Sequence, residues 1–472
     1  MIKAILKIEI ILSLTLFLVL LLFTFNLDIT GNSGDSITHY LYSHFAFKYP
    51  HFFLHHWAKP LFVLLSSPFA QFGFKGIIIF NSICITLTAL FSFYTAKNFK
   101  IENPLLVYVF IFFAPLCFKL IFSGLTEYLF ALFLIIGIYL MSKSKYLFSI
   151  VIISFLPLIR SEGLLILGVF GCYLVYNKQY KIIPYLFTGQ LLYTIIGAFY
   201  FNDILWVINK IPYANLGSPY GKGELLDFVH RLNYVIEKPI YFLLFIGSIS
   251  ILISFIRKGF KKNDSQKTIL ILGSFAVLFV AHSIFWWKGI FNSMGLPRVL
   301  IAVIPVIAII ALIGLQTITS KLKNSILKKT VVGSFILLIC FYPFTNRLEG
   351  VVFNDELFVI EENRLIEEEV TPYIKKEFPD YKNQRLYFSH PYLSIALDID
   401  YFNTRHHREI QHLQLDTIES NSIIIWDDWF SPIEGDTELE LLKGKFNLIQ
   451  SFQRQDKERI IQFIVFEKKN KH

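Results

Sequence analysis

Charge is scarce in this 472-residue sequence: Asp, Glu, Lys and Arg make up 17% of it, where an ordinary soluble protein has about 25%. That excludes a disordered chain, which keeps itself solvated by charge and carries few aromatics. Cysteine is scarcer still. Cys84, Cys117, Cys172 and Cys340 all fall inside apolar runs, so neither a disulfide scaffold nor a thiolate metal cluster is expected. They read as small buried hydrophobes. Acidic residues are nearly missing from the first three quarters. Residues 1–345 hold 28 Lys and Arg against 11 Asp and Glu, a net of +17, whereas residues 346–472 hold 16 against 24, a net of −8. The basic residues sit in short loops between apolar runs rather than on one solvated face, which excludes a nucleic-acid binder.

What is abundant is apolar. Hydrophobic residues reach 54%, with 50 Phe and a mean hydropathy of +0.55. A helix needs about 20 apolar residues to cross a bilayer, within a range of roughly 17–25. Eleven runs fit or approach this: 8–26, 76–96, 104–122, 125–141, 146–159, 162–176, 183–201, 239–256, 269–286, 297–315 and 330–345. The first follows Lys3 and Lys7 and has no small-x-small cleavage site after it, so an uncleaved signal anchor is expected.

Lys and Arg in short loops set orientation. With the N-terminus inside, the inside loops 1–7, 97–103, 142–145, 177–182, 257–268 and 316–329 carry 17 basic residues in 50 positions. The outside segments and Arg298 carry ten in about twice that length. Eleven crossings leave residues 346–472 outside. Eight of the eleven acids of residues 1–345 then fall on the outer side: Asp28, Asp35, Glu127, Glu162, Asp203, Glu224, Asp227 and Glu237. Carboxylates at membrane helix ends are costly to desolvate and mark working sites.

Four outer stretches concentrate functional groups. The first loop, 27–75, carries Asp35 and, one helical turn on, His39, then His55, His56, Trp57, Lys59 and Pro60. An acid at i and a histidine at i+4 share a helix face, although Gly34-Asp35 also suits a plain helix cap. Thr126-Glu127 follows Ser123-Gly124 at an outer hairpin. Arg160-Ser161-Glu162-Gly163 forms another. The last runs from Trp286 and Trp287 through Lys288 to Gly295-Leu296-Pro297-Arg298. The tryptophans suit an aromatic belt, and the two cations could snorkel to headgroups. Taken together, these stretches hold carboxylates able to act as general base, cations able to stabilise a leaving oxyanion, and Arg forks that fit phosphate. An apolar groove between helices would hold an isoprenoid tail.

This plan resembles the GT-C glycosyltransferase superfamily, which includes protein O-mannosyltransferases, aminoarabinose transferases and lipid-linked mannosyltransferases. The resemblance covers residues 1–345. Asp35 matches the acid that follows the first helix in that superfamily. Trp57–Phe62 is similar to its aromatic-Lys-Pro segment, Arg160–Gly163 to its Arg-x-Glu-Gly turn, and Gly295–Arg298 to its Gly-x-x-Arg. The resemblance implies an α-helical polytopic membrane protein that moves a sugar, such as mannose, from a polyprenyl-phosphate donor to the hydroxyl of a glycan, lipid or protein. Transfer would be inverting, with Asp35 as base beside His39 and the lipid phosphate steadied by Arg298, Lys288 or Arg160. Glu127 and Glu162 would position sugar hydroxyls or hold the arginines, with His56 and Lys59 also lining the substrate site. Asp35 stands alone but for Asp28 seven residues earlier, so a metal held by two carboxylates is not expected, nor any other cofactor. The loosely spaced His39, His55 and His56 keep a divalent-metal site open.

Residues 346–472 have the makings of a small α/β domain on the outer side. A helix is expected within 355–378 and strands at 423–426, 446–452 and 459–466, and Trp426-Asp427-Asp428-Trp429 closes the first of these strands. Acids between tryptophans can hold a sugar by hydrogen bonding and stacking, which makes Asp427 and Asp428 candidate substrate contacts. The Phe, Ile, Lys and Asn bias suggests a low-GC bacterium, placing the protein in the plasma membrane with this domain periplasmic or extracytoplasmic. The alternative is a transporter or flippase of lipid-linked saccharides, which would place polar groups at the bilayer midplane and often shows internal repeats. No repeat is evident. A noncatalytic scaffold is the third reading, and it would not need Asp35, Glu127, Arg160 and Arg298 to converge.

Overall fold

The structure is a computed structural model. It describes residues 7–27, 29, 34–210, 217–258, 262–345, 350–354, 356–420, 422–456 and 459–468. The chain forms two compact units, one of Met1–Leu27 with Tyr42–Leu357 and one of Asp28–Leu41 with Phe358–His472.

The first unit is helical, and every one of the eleven apolar runs lies on helix. Among the described residues, seven helices are long and apolar enough to cross a membrane: Ile8–Asn26, Phe74–Asn98, Tyr180–Phe201, Asp227–Arg257, Gln266–Lys288, Pro297–Thr319 and Ser325–Phe344. The shorter apolar helices Glu127–Ser142, Tyr146–Leu158 and Gly163–Tyr176 lie between them. The protein is therefore an integral membrane protein.

Proline marks two of the interruptions. Run 104–122 is two helices, Leu106–Phe112 and Pro115–Ile121. Ala114 between them is extended (φ −79°, ψ 107°), because the ring of Pro115 crowds the residue before it out of helical geometry. Pro239 similarly follows a break in the helix Asp227–Lys258, where Glu237 takes φ 61°.

The centre of the bundle is the helix Ile304–Thr319, almost wholly buried. It packs against Asp227–Lys258 through a pair of glycines. A Cβ on Gly247 would lie 1.9 Å from the Ile310 carbonyl oxygen, and one on Gly314 would lie 2.0 Å from that of Leu243. Small residues let membrane helices approach backbone to backbone. Gly247→Ala should therefore force the helices apart and cost roughly 1–3 kcal/mol, the usual penalty for overpacking. A lower melting midpoint in detergent is the expected result, and an unchanged midpoint would contradict the contact.

The second unit is α/β. Its sheet has the order β2-β1-β3-β5-β4, with β1 Leu386–Phe388, β2 His407–Arg408, β3 Ile423–Asp427, β4 Phe446–Asp456 and β5 Arg459–Lys468. Strands β2, β1 and β3 are parallel, whereas β5 pairs antiparallel with both β3 and β4. All five residues of β3 are buried, which fits a central strand covered on both faces. Tyr387, Ile424, Trp426, Leu442, Phe446, Ile464 and Phe466 build the core. The expected helix at 355–378 is observed from Glu361 to Glu377.

Candidate active site

Glu127 opens the helix Glu127–Ser142, where the unpaired N–H groups of the first turn favour negative charge. It is 1% exposed. Arg160 reaches it from the turn between the short 3-10 helix Leu156–Leu158 and the helix Gly163–Tyr176. Nη1 of Arg160 lies 2.8 Å from Glu127 Oε1 and donates to the Thr126 hydroxyl at 3.1 Å. Its Nη2 donates to Glu162 Oε1 at 2.8 Å. One guanidinium thus ties two carboxylates from different hairpins. The helix Pro297–Val303 brings in Arg298, whose Nε is 3.8 Å from Glu127 Oε1. The helix Gly273–Lys288 brings in His282, whose Nε2 is 3.4 Å from Glu162 Oε1. Arg160 and His282 thus both face the Glu162 carboxylate. The second oxygen of Glu127, Oε2, is buried and has no hydrogen-bond partner among the described residues.

Lys59 enters from the first long loop. Its φ is 68°, an uncommon value for a residue with a side chain and of order 1–3 kcal/mol in strain. That turn directs the chain into the helix Pro60–Ala70, and Nζ donates to the Ser161 hydroxyl at 2.8 Å. Burial and the nearby Arg160 lower the Lys59 pKa, against Glu162, to about 8. Three cations and two carboxylates leave the cluster with a net positive charge, which suits an anionic ligand.

Lys59, Glu127, Arg160, Glu162 and Arg298, expected from sequence on four separate outer stretches, thus stand together. His282 was not expected, because a lone histidine in an apolar run gives no signal of its own. The ring of Phe228 stacks beside it at 5.9 Å. Trp286 does not act only as a belt residue: its indole N–H donates to Asp227 at 2.7 Å, and Arg231 lies 5.0 Å from its ring. Lys288 sits over the ring of Trp287 at 3.7 Å. His56 packs against Trp206 and Tyr193, and burial with the neighbouring Lys59 lowers its pKa to about 4.

Asp35 and His39 are in the second unit, one turn apart on the helix Gly34–Phe45. Asp427 and Asp428 are also in that unit. Asp427 accepts from the Trp429 and Phe430 N–H groups and the Ser431 hydroxyl. Asp428 accepts from Arg459 and the Gln462 N–H. A sugar hydroxyl would have to share these oxygens. Asp28 lies outside the described residues. Among the described residues, no group of three or more His, Cys, Asp or Glu side chains could hold a metal.

The fold is one already seen in solved structures. The chain is similar along 97% of its length to the crystal structure of ArnT from Cupriavidus metallidurans, of which it covers 97%, at 12% sequence identity. The TM-score is 0.62 to the apo form and 0.58 to the form bound to undecaprenyl phosphate. No family model matches the sequence, and no curated protein matches it.

Proposed function

We propose that the protein is a polyprenyl-phosphate-dependent glycosyltransferase. The observation that carries this reading is the convergence of Lys59, Arg160 and Arg298 around Glu127 and Glu162. An apolar groove of about 510 Å³ between helices Gly163–Tyr176 and Gly273–Lys288 adds support; Leu165, Ala281, Ile284 and Phe285 line it, one turn or less from Glu162 and His282. A cationic cluster and an apolar groove suit the two ends of a phosphate on a long hydrocarbon, and one similar structure is bound to undecaprenyl phosphate. In the proposed reaction Asp35, beside His39, takes the proton from the acceptor hydroxyl. That oxygen bonds to the anomeric carbon with inversion, and the bond from this carbon to the phosphate oxygen breaks. The polyprenyl phosphate leaves with the electron pair, steadied by the cations.

A donor panel tests the reading. Purified protein should consume one labelled polyprenyl-phosphate sugar, a mannosyl donor among those tried, and release polyprenyl phosphate. Movement of intact donor across vesicles without cleavage would support the flippase instead. The proposed orientation places the N-terminus in the cytoplasm and the second unit outside a bacterial plasma membrane.

Lys59 gives the reaction a pH signature. Only its protonated form attracts phosphate, and the kcat/KM profile reports the free enzyme. Donor kcat/KM should therefore hold below pH 7 and fall as pH rises through about 8. Lys59→Arg should move that limb out of range, because arginine stays charged. A wild-type profile flat to about pH 10 would remove Lys59 from phosphate binding.

A further inference from the structure

The second unit includes Asp28–Leu41 together with Phe358–His472, so the turn bearing Asp35 packs with residues more than 300 positions away. The contact is specific. A Cβ on Gly34 would lie 2.4 Å from Cζ and 2.6 Å from Cε1 of Phe430. The ring tip therefore rests on the backbone of the residue before Asp35, and only glycine leaves room for it.

Phe430 is itself held from two sides. Asp427, at the end of β3, accepts from the Phe430 N–H at 2.5 Å and from the Trp429 N–H at 3.1 Å, and the Ser431 hydroxyl donates to its other oxygen at 2.9 Å. Burial raises the Asp427 pKa against these bonds and His390. From the end of β1, the His390 ring meets the Phe430 ring edge-on at 4.9 Å. Nε2 of His390 is 3.8 Å from Glu362 Oε2, Arg459 lies 2.9 Å from Glu362 Oε1, and the same Arg459 Nη2 is 2.9 Å from Asp428. The carboxyl ends of two parallel strands thus converge on one aromatic ring. The polar groups there bond to one another and fix that ring.

We infer that Phe430 is a positioning residue, through which the C-terminal sheet fixes the helix turn that carries Asp35. This rests on the reading of Asp35 as the base. It gives Asp427 and Asp428 a part in transfer without contact to the sugar. A 1 Å displacement of a reacting group can cost about 10²-fold in rate, so a rigid platform behind a base on a helix's first turn has a measurable effect.

The test uses the full-length chain in detergent, with undecaprenyl phosphate as binding probe. Phe430→Ala should speed backbone hydrogen exchange over residues 34–41 by about tenfold or more, since a released turn opens locally. It should leave undecaprenyl phosphate binding intact and lower kcat by about 10²-fold at unchanged donor KM. Phe430→Leu keeps an apolar contact and should recover most of kcat. If Phe430→Ala does not fold, Gly34→Ala, which presses a methyl onto the ring, should give the same pattern. Unaltered exchange over 34–41 overturns the inference, as does faster exchange with full kcat. Wild-type inactivity on every donor would defeat the transferase reading, yet the exchange measurement would still decide whether Phe430 holds the turn.

Discussion

Asp35→Asn should lower transfer by about 10²–10⁴-fold, the range typical for removing a general base. The substitution keeps the shape of the side chain and removes its capacity to take a proton. Asp35 lies in the first turn of the helix Gly34–Phe45, where the helix dipole favours a negative charge. The variant should fold, bind undecaprenyl phosphate as the wild type does, and show the same donor KM, with the loss confined to kcat. Full transfer activity in a well-expressed Asp35→Asn protein would end its assignment as base.

Arg160→Met should be the most damaging single change for stability. Removing one partner from a buried ion pair costs about 3–5 kcal/mol, because the other charge is left without compensation. Here Arg160 serves both Glu127 and Glu162. The melting midpoint in detergent should drop sharply, and transfer should be lost. The double variant Arg160→Met/Glu127→Gln should melt above the single one, since it removes one stranded charge along with its partner. If the two midpoints coincide, the Glu127–Arg160 pair carries no coupling.

The membrane region was legible because lipid imposes a simple rule: a spanning segment must be apolar and must satisfy its own backbone. All eleven runs lie on helix for that reason. The breaks were harder to see, and Pro115 and Pro239 mark two of them. The cluster was partly legible. Glu127, Arg160, Glu162 and Arg298 stood out because charge is rare around them, whereas His282 is flanked by residues such as Ala281 and Ile284 and gives no periodic sign. Trp286 read as an interfacial ring because sequence does not reveal that Asp227 receives its N–H. The association of Gly34 with Phe430 was illegible for a different reason. It joins residues nearly 400 positions apart, and nothing local in either segment announces the other.

The helices that begin at Glu127 and Gly163 have 16 and 14 residues. At ~1.5 Å per residue the second is about 21 Å long, against a hydrocarbon thickness of about 30 Å. Bilayers meet such short elements by thinning around them, at fractions of a kcal/mol per Å of mismatch. The headgroup layer would dip where the Glu127–Arg160 network lies, shortening the path by which a polar sugar on a lipid phosphate reaches it. Under the proposed transferase function, activity should therefore respond to acyl-chain length: long-chain lipids that resist the dip would penalise docking of the donor, and short-chain lipids would ease it.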